Sequence, residues 1–76
     1  MIERMYTVTE ISNSYILIKG ASGSIFRVYY PSKIGVRTGD KVVILFDDND
    51  KCWLRITNAI TGISASITKV EQVRSW

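Results

Sequence analysis

No stretch of this chain repeats its apolar residues at helical spacing for more than a turn; instead, β-favouring runs of six or seven residues follow one another, each ended by turn-forming residues. "MYTVTEI" closes at "SNS". "YILIKG" and "SIFRVYY" flank "GASG", whose two glycines can supply the positive φ angles of a hairpin connection. Pro31 stops the third run because it lacks the N–H that a strand ladder needs. "PSKIGVRTGD" is a ten-residue connection, too short and too rich in Gly and Pro for a helix. "KVVILF" and "CWLRIT" are joined by the polar "DDNDK", and the tail alternates at Ile63, Ala65 and Ile67. Val70 and Val73, three apart, predict a helical turn or a last short strand. Five or six short strands in 76 residues predict an all-β fold. Closure into a small barrel is preferred over an open sandwich because it removes exposed edges. Residues 1–76 form one domain of a size that buries only ~60% of its unfolded surface.

Composition removes several kinds of chemistry. There is no histidine and one cysteine, Cys52, so a disulfide within the chain and a Cys/His zinc site are both excluded, and a reducing compartment fits best. The longest apolar run, Val42 to Phe46, is far short of the ~20 residues a membrane helix needs. The acids in "MIERMYTVTE" stand where a signal peptide would be apolar. The expected location is cytoplasmic, with no membrane partner. "DDND" offers carboxylates, but counting from Asp47 the sixth and twelfth positions are Cys52 and Asn58, where a calcium loop needs Gly and Glu. It reads as a solvated hairpin turn. "GASG" shares only letters with the GxxG clamp of KH domains, because it joins strands. Cys52 has no histidine to activate it, and Glu3 and Glu10 near the chain start have nothing to separate their pKa values. No enzyme activity and no cofactor are expected.

Strand parity then sorts the remaining side chains, since alternate residues face opposite sides. Ile16 and Ile18 share an inward face, which leaves Tyr15, Leu17 and Lys19 outside. Phe26, Val28 and Tyr30 oppose Ile25, Arg27 and Tyr29. In the fifth run Cys52, Leu54 and Ile56 form the apolar set, so Trp53, Arg55 and Thr57 are expected to point outward. The outward set therefore alternates three aromatics, Tyr15, Tyr29 and Trp53, with three cations, Lys19, Arg27 and Arg55. Lys33 and Arg37 in the ten-residue connection extend the positive path. Flat rings that stack on bases beside cations that neutralise phosphates are the chemistry of single-stranded nucleic-acid binding. Ten Lys and Arg against seven Asp and Glu, a net charge of +3, favour an anionic partner mildly. The same residue types also suit exposed strands and dominate protein interaction surfaces. A protein-interaction module or small regulator, including one encoded by a virus or mobile element, is the competing class. Pairing of an edge strand with a second copy is a third.

"YTVTEI", "ILIKGASGSIFRVYYPSKI" and "VRTGDKVVILFDDNDKCWLRI" together resemble the OB-fold pattern of bacterial initiation factor one and related RNA-binding modules, over roughly residues 5 to 57. In that pattern a first strand leads to a hairpin, a loop and a "GD-K-V" strand start. The resemblance implies nucleic-acid contact through Tyr15, Lys19, Arg27 and Tyr29. From "FRVYY" through "KVVILFDDND", "CWLRI" and "SITKVEQV" the chain is also similar to SH3-like barrels, among them the DNA-binding C-terminal domain of retroviral integrases. "PSKI" and "GVRTGDKV" resemble, more weakly, the swapped-hairpin transcriptional regulators. Each of the three families contains nucleic-acid binders.

Overall fold

The computed structural model describes residues 2–47 and 52–74. The "DDND" turn, apart from Asp47, lies outside them. Seven strands run in chain order: β1 (Ile2–Ile11), β2 (Tyr15–Lys19), β3 (Ile25–Tyr29), β4 (Lys41–Phe46), β5 (Trp53–Asn58), β6 (Ser64–Ser66) and β7 (Lys69–Arg74). They form one sheet in the order β6-β5-β4-β1-β2-β3-β7, with every pairing antiparallel and no helix among the described residues. The all-β expectation holds, with seven strands in place of five or six.

β1 is long because it serves two neighbours. Its first half pairs with β4, from Ile2 opposite Phe46 to Thr7 opposite Lys41, and its second half pairs with β2. The register slips between Val8 and Glu10, a bulge that bends the strand where it passes from one partner to the other. The Val8 N–H donates to the Asp40 carbonyl at 2.8 Å and the Gly39 N–H to the Val8 carbonyl at 2.7 Å, which fastens the incoming connection to the bend. Within "GASG" only Gly23 has a positive φ, +91°. Gly20 serves a different purpose: a Cβ there would lie 3.0 Å from Cε2 of the Tyr6 ring, so the glycine makes room for a core aromatic.

After the turn that follows β5, the tail is strand at Ser64–Ser66 and Lys69–Arg74. β6 pairs with β5 and β7 with β3, and only Ile67 and Thr68 separate them. The Ile67 N–H donates to the Leu54 carbonyl at 3.1 Å, and the next residue, Thr68, donates to the Tyr29 carbonyl at 3.0 Å. A single bent stretch therefore bonds to both ends of the sheet and curls it around its core, with a Cα radius of gyration of 11.1 Å. In an extended chain a spacing of three puts two residues on opposite faces, so Val70 packs against the core while Val73 is exposed.

Alternation fills the interior as the parity of β2 and β3 requires. Val8, Ile16, Ile18, Val28, Val42, Ile44 and Ile56 are almost fully buried, and Ile34 joins them from the connection between β3 and β4. Burying each of these side chains contributes roughly 1.5–3 kcal/mol. Phe26 and Tyr30 are partly buried against this core.

The inward set assigned to β5 is correct only for Ile56. Arg55 opposes Leu45, but the next pair along β4 is Phe46 with Trp53, so Leu54 is an extra residue in the ladder. That bulge reverses the parity beyond it. Leu54 is 37% exposed, Cys52 is exposed, and Trp53 turns in, with its ring centroid 4.8 Å from Phe46, 4.9 Å from Phe26 and 5.6 Å from Tyr6. Four large rings share one end of the core, and packing of that kind rewards the inverted geometry. Of the alternating Ile63, Ala65 and Ile67, Ala65 is buried and Ile67 packs against the core, whereas Ile63 precedes β6 and is exposed.

Candidate nucleic-acid interface

The antiparallel register of β2, β3 and β7 brings outward residues from three strands into adjoining rows. Tyr15 opposes Tyr29, which opposes Lys69; Leu17 opposes Arg27, which opposes Glu71. The short cross-strand spacing of such pairs puts their side chains within reach of one another. The Tyr15 and Tyr29 ring centroids are 5.4 Å apart at 57°. The Arg27 guanidinium lies 5.0 Å from the Tyr15 centroid and the Lys69 ammonium 5.6 Å from that of Tyr29, so each ring carries a cation over its face.

Glu71 sits among them. Its Oε1 accepts from Arg27 Nη1 at 3.3 Å and from the Tyr29 hydroxyl at 3.2 Å, and Lys69 Nζ lies 3.7 Å from its Oε2. The Tyr29 hydrogen bond, followed by the charge of Lys69, holds the Glu71 carboxyl below the ordinary glutamate range. Arg27 is held above its ordinary range, first through side-chain hydrogen bonding with Tyr29. The group is thus two cations and one anion over two rings. Arg27 Nε is buried without a hydrogen-bond partner, so the stem is packed down while its tip is partly open.

Of the eight residues expected in the site, three meet here: Tyr15, Arg27 and Tyr29. Lys19 is exposed at the far end of β2, opposite Thr7 of β1, and Thr7 in turn accepts from Lys41 Nζ at 2.6 Å. Lys19 and Lys41 therefore flank one threonine and make a second basic spot. Arg55 is exposed on β5 opposite Ser66, across the β6–β7 stretch from the tyrosines. Lys33 and Arg37 are exposed on the connection between β3 and β4, where the Arg37 N–H donates to Asp40 Oδ2 at 2.9 Å. Trp53 is withdrawn from the outer face by the β5 bulge.

Of the two readings of the tail, a helical turn or a last short strand, the strand holds, but the valine spacing left its register open, and Lys69 and Glu71 were missed with it. Reading "TKVEQVR" with a period of two puts Lys69, Glu71 and Val73 on one face and Val70 on the other. Among the described residues, no three His, Cys, Asp or Glu side chains cluster as metal ligands would, and no helix is long and apolar enough to cross a membrane. The chain matches no family model, no curated protein and no solved structure.

Proposed function

We propose that this protein is a non-enzymatic binder of single-stranded nucleic acid, acting in the cytoplasm through the outer face of β2, β3 and β7. The observation that carries this reading is the Tyr15–Tyr29 pair with Arg27 and Lys69 over its rings, on a half-exposed sheet surface. Partly exposed rings accept a stacked base of any identity, and flanking cations hold the phosphates on either side. Lys19 and Lys41 lie along the same curved sheet and lengthen the track. We place the barrel nearest the OB-like pattern, a placement supported by the order of first strand, hairpin, loop and a β4 that starts directly after Gly39-Asp40.

The test is fluorescence anisotropy of a labelled single-stranded oligonucleotide at ~50 and ~200 mM salt, a range over which several phosphate contacts cost orders of magnitude in affinity. Binding should collapse at the higher salt. Tyr29→Ala should weaken it at the lower salt by ~1–3 kcal/mol, the value of one stacked base. Absence of binding at ~50 mM overturns the reading and turns attention to a protein partner. Binding that ignores salt would mean that apolar burial carries the contact.

A further inference from the structure

The contacts around Glu71 have an unusual balance for a structural ion pair. Three donors converge on one carboxylate: Arg27 Nη1 at 3.3 Å, the Tyr29 hydroxyl at 3.2 Å and Lys69 Nζ at 3.7 Å. All three distances exceed the ~2.7–2.9 Å of a well-made charge-assisted bond. The Arg27 and Glu71 side chains are 34% and 41% exposed, so water and salt reach the pair. Exposed pairs of this kind hold weakly. Two of the three donors are also held by contacts of their own. Arg27 is packed against the Tyr15 ring with its Nε buried, and Tyr29 is anchored by the same ring pair.

Resting on the face assigned above, we infer that Arg27, Tyr29 and Lys69 form a phosphate cradle, which Glu71 occupies until a phosphate of the nucleic-acid backbone displaces it. The cradle needs no rearrangement of strands to change occupant, since only the Glu71 side chain, at the half-exposed surface of β7, has to swing away. A phosphate diester brings the same negative charge and two acceptor oxygens, so the donors exchange one anion for a similar one. Glu71 therefore sets an affinity threshold. A strand that engages only the cradle gains little over the internal carboxylate, whereas one that also stacks on the tyrosines and reaches Lys19 gains enough to displace it. Salt dependence changes for the same reason. While Glu71 neutralises Arg27, fewer counterions are released there on binding.

The experiment compares wild type, Glu71→Gln and Glu3→Gln in the anisotropy titration, with circular dichroism to establish that each is folded. Glu3 is exposed on β1, opposite Leu45, and controls for loss of one acidic charge. Glu71→Gln should bind about two- to fivefold more tightly at low salt, the worth of one exposed ion pair. Its logarithmic salt slope should steepen by about 0.7, the increment for one more phosphate contact on a single strand. Glu3→Gln should stay near wild type. Oligonucleotide binding that is unchanged or weaker in Glu71→Gln, or raised equally in Glu3→Gln, overturns the cradle and leaves the proposed function standing. If no variant binds the oligonucleotide, titration with inorganic phosphate, followed by NMR of the Arg27 and Lys69 side chains, decides separately. Shifts larger in Glu71→Gln than in wild type support the cradle while the nucleic-acid reading falls. No difference removes both. Should glutamine keep the contacts, Glu71→Ala repeats the comparison.

Discussion

Asn58 is only 1% exposed, and no other polar or charged residue among those described is classed with the buried core. Its Nδ2 donates to the Ile34 carbonyl at 2.9 Å, and its Oδ1 accepts from the N–H groups of Ile60 at 2.9 Å and Thr61 at 3.4 Å. One amide thus binds the end of β5 to the connection that delivers Ile34 to the core and also shapes the turn into β6. In sequence it resembles any other turn asparagine, because nothing local announces that its partner lies 24 residues away. Asn58→Ala removes both halves of this arrangement. It should cost about 1–3 kcal/mol for each buried group left unpaired. Asn58→Asp keeps the acceptor but sets a carboxylate against the Ile34 carbonyl, and should cost at least as much at neutral pH. Urea denaturation of the two variants measures this, and an alanine variant as stable as wild type would show that water replaces the amide without loss.

The facing of side chains was legible in β2 and β3, whose pairing with each other is regular, and not at the start of β5, where a bulge intervenes. In β2 and β3 the inward residues Ile16, Ile18 and Val28 follow strict alternation, so parity placed Tyr15, Arg27 and Tyr29 outside correctly. In β5, "CWLRI" alternates in one frame, with Cys52, Leu54 and Ile56 inward, and the bulge at Leu54 that overrides it is favoured by a cluster of rings drawn from β1, β3 and β4. A contact set of that kind is tertiary and leaves no local mark. The β6–β7 stretch was obscured for a related reason: its two halves pair with different strands, so neither half reads as a full strand alone. The bulge yields a test within one element. Ile56→Ala should cost ~2–5 kcal/mol, as a large-to-small change in a closed core does. Leu54→Ala, two residues earlier at the exposed bulge, should stay within about 0.5 kcal/mol. Equal losses in urea denaturation would restore the uninterrupted alternation and put Trp53 back on the outer face.

At the scale of the molecule, a net charge of +3 on so small a surface matters less than where the charges sit. Lys19 and Lys41 are exposed together on either side of Thr7 and Arg55 is exposed elsewhere, on β5, while Arg27 and Lys69 share Glu71. The last arrangement ties stability to pH as well as to salt. Glu71 has a lower pKa folded than unfolded, so the folded chain favours its ionised form. Its stabilising contribution is complete above the ordinary glutamate value and is lost as pH falls through the lower, folded value. Wild type should therefore be more stable than Glu71→Gln at neutral pH, and the two should converge in acid, where the wild-type carboxyl also becomes neutral. Because both partners are more than a third exposed, screening should narrow the same gap at about 1 M salt, where the Debye length is only about 3 Å. Chemical denaturation with urea, which leaves ionic strength free to vary, reads both effects on the same pair of proteins. A gap that persists undiminished in acid and in high salt would locate Glu71's contribution in packing, and would remove the electrostatic basis for its exchange with phosphate.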